Sequence, residues 1–291
     1  MRLLNLGSIN VDCAYHCDHI PTPGETVLTT SLKRGLGGKG ANQSVAAARA
    51  GAQVLHFGAV GDDGDAMLAR MNAFGVDVSQ VLRVKAPTGH AVIFVDTSGE
   101  NAIGVHPGAN HAIDADYAER LLDAAEPNDW VLIQNETSGI DALALGCSAR
   151  GLALAYAAAP FDLAAVTAVL PHASLLALNE IECAQLCAAL KLTEDDLPVD
   201  YLLVTLGSRG ARLRTPEGTR SVPAFAVEPI DTTCAGDTFL GYFMAGLTQG
   251  LDYDTALQRA SAASAIAVTR PGASASIPSA EDVNAFLLER C

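Results

Sequence analysis

Gly35-Leu36-Gly37-Gly38-Lys39-Gly40-Ala41-Asn42-Gln43 is the stretch on which the reading of the fold turns. Its first six residues match the dinucleotide fingerprint G-x-G-x-x-G letter for letter, and Asp62 and Asp63 follow where such a fold places an acidic residue. The fingerprint also needs an apolar strand directly before the glycines. Here the preceding residues are Thr29-Thr30-Ser31-Leu32-Lys33-Arg34, so the context fails. Nor is the stretch a P-loop, because Lys39 is followed by Gly40 and Ala41 with no hydroxyl for magnesium. What the glycines do permit is close approach of backbone to a ligand at a helix N-terminus. Lys39 and Asn42 would then be polar hooks for hydroxyl groups. A flexible turn would leave the same letters.

Outward from this point the chain alternates. Short apolar runs at Leu3–Leu6, Val54–Val60, Trp130–Ile133, Leu152–Tyr156, Leu175–Leu178 and Tyr201–Leu206 read as buried strands. Helical stretches lie between most of them, at 42–50, 114–125, 139–150, 161–170 and 180–192, and three more close the chain at 237–247, 253–268 and 280–288. That alternation predicts an α/β protein, a three-layer α/β/α sandwich around a mostly parallel sheet. Two stretches fall outside it. Residues 12–36 are polar and turn-rich, and 89–106 carries two strands joined at Thr97-Ser98-Gly99-Glu100. Both are expected to form a small β lid inserted in a single domain spanning residues 1–291, since no linker and no repeat divides the chain.

Composition narrows the function classes. Half of the chain is apolar (49%), too much for intrinsic disorder. The net charge is −15, from 33 acidic and 18 basic residues, which argues against a nucleic-acid surface. No strict apolar run approaches a membrane span of about 18 residues, and the N-terminus does not read as a signal peptide. A cytoplasmic location is the expectation. Seven cysteines, an odd number, do not suggest a disulfide scaffold. Cys13, His16, Cys17 and His19 are too crowded to wrap a tetrahedral zinc ion.

A second cluster, Asp231-Thr232-Thr233-Cys234-Ala235-Gly236-Asp237-Thr238-Phe239, lies just before a helix expected to begin near Thr238. Gly236 would let the chain turn sharply, and the first free N–H groups of the helix would form an anion hole. Asp237 has two readings on this pattern. It caps the helix, or it is a general base held beside the anion hole.

Taken in order, these motifs resemble those of the ribokinase-like (PfkB-type) carbohydrate kinases. Gly7-Ser8-Ile9-Asn10-Val11-Asp12 is similar to the family's opening sugar-contact strand, and Pro23-Gly24-Glu25-Thr26 to its lid. Gly37–Gln43 resembles its first signature, Asn179-Glu180-Ile181-Glu182 its N-x-x-E motif, and Thr205–Gly210 its nucleotide-phosphate loop. The second signature corresponds to Ala235-Gly236-Asp237. The resemblance implies an ATP-dependent sugar kinase, with D-ribose as expected acceptor and ribose 5-phosphate and ADP as products.

It also implies roles. Asp237 would be the catalytic base, with Gly236, Ala235 and Cys234 supplying anion-hole N–H groups. Asn10, Asp12, Gly38, Lys39, Asn42 and Glu136 would hold the sugar hydroxyls. Asn179, Thr205, Gly207, Gly210 and Gly236 would contact ATP. Glu182, with Asn179, would hold Mg2+ through water. Asp231, Thr233, Ala267, Arg270, Gly272 and Ser276 would surround K+. A homodimer through the lid is expected, because the lid strands expose edges that need cover.

Three departures accompany the resemblance. The pattern Asn-Pro-Ala-Pro of ribose-directed members is here Tyr156-Ala157-Ala158-Ala159-Pro160, the stretch between Leu190 and Tyr201 is short, and Ser261 stands where a His would pack near adenine. The rival class is a nicotinamide-dinucleotide oxidoreductase resting on Gly35–Gly40. A non-catalytic binding protein is a third, against which the retained Asp237 argues.

Overall fold

Alternate residues of the first strand leave in opposite directions, and two cores follow from that. The computed structural model describes residues 1–290. In it, β1 (Leu3–Leu6) sends Leu3 to a core shared with Val45, Phe243 and Ala263, and sends Leu4 and Leu6 to a second core with Tyr117, Leu121 and Leu143. Strands β2 (Asn10–His16) and β3 (Ser31–Gly37) precede α1 (Lys39–Arg49). Then come β4 (Val54–Phe57), β5 (Ala59–Val60), α2 (Asp65–Ala73), β6 (Leu82–Arg83), β7 (Gly89–Val95) and β8 (Asn101–His106). The middle of the chain alternates strictly: α3 (Ala115–Ala124), β9 (Trp130–Gln134), α4 (Ile140–Arg150), β10 (Ala153–Ala157), α5 (Leu163–Val169), β11 (Leu175–Asn179), α6 (Glu180–Leu190) and β12 (Tyr201–Thr205). A hairpin, β13 (Ala211–Thr215) and β14 (Gly218–Val222), leads to α7 (Ala235–Thr248), α8 (Tyr253–Val268) and α9 (Ala280–Leu288).

The main sheet has the order β14-β13-β12-β11-β10-β9-β1-β4. It is parallel from β12 to β4, and the two β13 pairings at the other edge are antiparallel. From β1 the chain adds β4 on one side, then returns to add β9 on the other. Sites in open α/β sheets lie at the carboxyl ends of strands beside such a reversal. Here those ends deliver Gly7 and Ser8, Glu136, Asn179 and Thr205.

The second sheet, β3-β2-β7-β8, is built from the two stretches that fall outside the alternation. Its β7–β8 turn is closed by Asp96, whose Oδ1 accepts from the N–H groups of Ser98 (2.8 Å) and Glu100 (3.1 Å). β8 is exposed along its whole length. No helix among the described residues is long and apolar enough to cross a membrane.

The structure differs from the sequence reading in three places. The run Val54–Val60 breaks at Gly58, whose N–H and C=O both bond the Tyr117 hydroxyl (3.0 and 3.1 Å), and β5 pairs with β6 instead. The β13–β14 hairpin escapes apolar-run reading because Arg212 and Arg214 alternate with the apolar positions of β13 and because β14 is mostly polar. Helix α2 buries only Met67 and Met71, too thin a stripe to register as amphipathic.

Candidate active site

One end of the site is assembled around the turn after β1. Gly38 sits at φ +92°, and a Cβ on Gly40 would lie 2.3 Å from Gly7 Cα. Glycine at both positions lets the first turn of α1 press against Gly7 and Ser8, where Ala41 N–H bonds Ser8 O at 2.8 Å. Glu136 enters from the end of β9. Its Oε2 accepts from the Ser8 hydroxyl (2.5 Å) and from Lys39 N–H (2.9 Å), which fixes the carboxylate. Asn10 is oriented by Asn110, whose Nδ2 donates to Asn10 Oδ1 at 2.8 Å while its own Oδ1 accepts from Ile9 N–H at 3.0 Å. Asn10 Nδ2 is thereby left for a ligand.

Asp12 lies two residues along the same strand face. A Cβ on Gly37, diagonally across on β3, would sit 2.0 Å from its carboxylate, so only glycine leaves that side chain its place. Burial, together with the nearby Glu136 and Asp237, pushes the Asp12 carboxyl up to about 6.

Asp237 is placed differently from the sequence expectation. Helix α7 begins at Ala235, so Asp237 stands within its first turn, and the N-cap is Cys234. The sharp turn is made by Cys234 at φ +67°, not by Gly236, which is helical. No side-chain cap bond forms there, so Asp237 does not cap the helix. Its carboxylate instead accepts from Gln43 Nε2 (2.8 Å) and Asn42 Nδ2 (3.1 Å), both from α1. Burial raises the Asp237 carboxyl, opposed by Lys39 and by these two amides. The Lys39 ammonium is raised in turn, first by Asp237 and then, against burial, by Glu136. Ala235 N–H turns back to Thr232 O at 3.3 Å. The N–H groups of Gly236 and Asp237 have no backbone partner within the helix and face its open end.

Two cavities meet at this helix end. One is a cleft of about 200 Å³ lined by Lys39, Gln43, Asn179, Glu182, Cys234 and Asp237 among others. The second is a groove of about 510 Å³ that includes Gly207, Gly210, Phe225, Val227, Ser261 and Val268. Thr205, Thr232, Ala235 and Gly236 line both. The groove walls are chiefly apolar, and Phe225 is braced edge-on against Phe286 with ring centroids 5.2 Å apart. Ser261 is spent inside the fold, donating to Pro223 O at 2.9 Å. Asn179 and Glu182 form a capping box on α6: Glu182 N–H bonds Asn179 Oδ1 (2.9 Å), and Asn179 N–H bonds Glu182 Oε2 (2.8 Å).

Behind the helix end, Asp231 ties two loops together. Its Oδ1 accepts from Thr233 N–H and its Oδ2 from Gly272 N–H, each at 2.9 Å. Burial raises this carboxyl, but those bonds outweigh it and hold it below the usual carboxylate value. Ser276 Oγ donates to Ala273 O at 2.8 Å, and Arg270 N–H to Ala267 O at 3.0 Å. The Arg270 guanidinium turns away to Asp282 at 3.2 Å. Of Arg270, the backbone carbonyl is therefore what the loop can offer a cation.

Three functional contributors escaped sequence reasoning. Ser8 and Asn110 orient Glu136 and Asn10, and Gln43 touches Asp237. Ser8 and Gln43 stand inside the motifs given above and Asn110 outside them, and nothing in one sequence shows which side chain of a motif turns inward. Ser8 carried no signal beyond its motif.

Residues 2–280 match the model of the pfkB family carbohydrate kinases. A ribokinase of Bacillus subtilis is 37% identical over 290 residues, covering 97% of this chain and 98% of the relative. Among solved structures, a ribokinase from Cryptococcus neoformans var. grubii in complex with ADP superposes with a TM-score of 0.84 at 33% identity, covering 98% of this chain and 99% of that one. The Arabidopsis thaliana ribokinase complexed with ribose and ATP gives a TM-score of 0.86 at 28% identity, covering 98% of both chains.

Proposed function

Because this chain belongs to the pfkB family of carbohydrate kinases, we propose that it phosphorylates D-ribose with ATP, at the primary hydroxyl, with Asp237 as the base. It is an ATP-dependent sugar kinase. The observation that carries the residue assignment is the position of Asp237, which lines the cleft of Lys39, Asn179 and Glu182 at a helix end whose Ala235 and Gly236 also line the apolar groove.

The sugar lies among Asn10, Asp12, Gly38, Lys39, Asn42 and Glu136, whose carboxylates and amides pair with vicinal hydroxyls. Asn42 Oδ1 is buried without a partner, and a sugar hydroxyl supplies one. The adenine lies in the apolar groove beside Phe225 and Val227, and the phosphates run past Thr205, Gly207 and Gly210 toward Gly236. Asp237 takes the hydroxyl proton as the new O–P bond forms and the bridging P–O bond to ADP breaks. The N–H groups at the start of α7 hold the charge on the transferred group. Asp237 needs only to be anionic and aimed, and Lys39, Asn42 and Gln43 serve both ends.

Magnesium bound with ATP would neutralise phosphate charge. Glu182 and Asn179, joined in the capping box at the edge of the cleft, would hold it through its waters. Potassium at the loop of Asp231, Thr233, Ala267, Arg270, Gly272 and Ser276 would be held by carboxylate and carbonyl oxygens and would steady the strand of chain leading into Cys234. The β2–β3 and β7–β8 stretches act as a lid that closes over the sugar, which keeps water from taking the phosphoryl group. The whole chain acts as one kinase unit, and the exposed Ile103, Val105 and Leu32 of the lid pair with a second copy.

The test is ADP release from Mg-ATP with pentoses, hexoses and nucleosides, in potassium and in sodium. Ribose-dependent release enhanced by potassium supports the proposal, and turnover on another sugar alone reassigns the acceptor. Asp237→Asn lowers kcat by about three orders of magnitude with sugar and ATP still bound. Near-normal turnover in that variant overturns the base assignment.

A further inference from the structure

A line of buried side chains runs from behind α1 to Asp237, and each link has one possible direction. His56 Nε2 bonds Gly7 O at 3.1 Å, so this nitrogen carries the proton. Burial pushes the imidazole down to about 4, which keeps His56 neutral, and its Nδ1 is then an acceptor for the Ser44 hydroxyl at 2.8 Å. Ser44 Oγ accepts from Asn5 Nδ2 at 2.8 Å, and that amide also donates to Gly40 O at 2.9 Å. Asn5 Oδ1 accepts from Gln134 Nε2 at 2.9 Å, and the same Nε2 donates to Gln43 Oε1 at 2.8 Å. With its oxygen taken, Gln43 has only Nε2 to offer Asp237 Oδ1. Asn5, Gln43, Ser44, His56 and Gln134 are all 2% exposed or less, so the line is shielded from bulk water up to the Gln43 amide, which meets Asp237 at the cleft.

One atom shows what this direction costs. Gln134 Oε1 is buried without a partner. Turning the amide over would satisfy nothing better, because it would aim that oxygen at two acceptors, Asn5 Oδ1 and Gln43 Oε1. Gln134 thus keeps both of its N–H groups on the line and leaves one acceptor unpaired.

We infer that Gln43 is a positioning residue for phosphoryl transfer, its amide held donor-first against Asp237 by the buried line through Gln134. The inference rests on the reading of Asp237 as the base. Gln43 touches neither hydroxyl nor phosphate in this role. It fixes the carboxylate and favours its anion, beside Lys39 and against the charges of Glu136 and Asp12, while burial keeps the neighbouring Cys234 thiol neutral.

Steady-state kinetics against pH test it, on full-length variants whose melting curves match the parent. Gln43→Met removes the donor at similar volume, and a hydrogen bond to a charged group is worth a factor of about 10–100. The expected result is a kcat lowered by that factor, with KM for ribose and ATP within about threefold and the acid limb of kcat moved to higher pH. Gln43→Glu keeps the bond from Gln134 but sets a carboxylate against Asp237, and its acid limb moves further the same way. Gln134→Met, which touches no ligand, shifts the limb in the same direction, and the double variant Gln43→Met/Gln134→Met is no slower than Gln43→Met alone. Parental kcat and pH profile in Gln43→Met overturn the inference, as does additivity in the double variant. Should Gln134→Met not fold, Gln43→Met and Gln43→Glu decide. An inactive Asp237→Asn beside a parental Gln43→Met sinks this inference alone, whereas an active Asp237→Asn sinks the base assignment beneath it.

Discussion

Asn42 donates through Nδ2 to Asp237 Oδ2 at 3.1 Å and leaves its own Oδ1 buried and unpaired. One amide therefore faces two tasks, steadying the carboxylate and waiting for a hydroxyl. An unmet buried acceptor costs about 1–3 kcal/mol, which a bound sugar would recover. Asn42→Ala removes both. The expected outcome is a sugar KM raised about ten- to a hundredfold, with a smaller fall in kcat and an unchanged KM for ATP, read from initial rates.

Asp12 gives a prediction of opposite sign for stability and binding. Its folded value of about 6 stands above the unfolded value of about 4. Between those values the folded chain holds the extra proton, so stability falls as pH rises through the window, and the deficit is complete at neutral pH. Asp12→Asn is expected to stabilise the protein by about 1–3 kcal/mol at pH 7, the lower end reflecting partial exposure, and by nothing near pH 4. The same variant binds sugar more weakly. Thermal melts at both pH values check the first half and sugar titration the second.

Asp231 separates loop order from chemistry. Its two oxygens hold Thr233 and Gly272, and neither cleft nor groove is lined by it. Asp231→Ala frees the chain leading into Cys234. Expected are a kcat lowered about tenfold and the loss of any difference between potassium and sodium, with sugar affinity kept, since two hydrogen bonds to a charge are lost. A cation response equal to the parent's would remove Asp231 from that site.

The edge strand β8 is the place to test assembly. Ile103 and Val105 are 57% and 58% exposed on a strand with no covering element. Ile103→Asp with Val105→Lys is expected to leave a folded monomer by light scattering where the parent is a dimer. An unchanged mass would place the interface elsewhere.

Much of this was legible in the linear chain because the signals are local. The apolar runs at Leu3–Leu6, Trp130–Ile133 and Tyr201–Leu206 are strands because a buried parallel strand needs apolar residues on both faces, and that shows as an unbroken run. Gly38 and Gly40 announced a close backbone approach because no other residue permits it. The β13–β14 hairpin and α2 were not legible, since their order comes from pairing and packing at the sheet's margins.

The sequence by itself determined the layered α/β architecture and, through six ordered motifs, the kinase family, and it nominated the residues proposed for the site. Only the tertiary structure decided their orientation. It put the turn at Cys234 rather than Gly236, brought Gln43 and Asn42 onto a carboxylate 194 and 195 positions away, and turned the Arg270 guanidinium aside to Asp282. The reason is physical: composition and period state which residues are buried, whereas the direction of a side-chain amide is set by the partners that folding places around it.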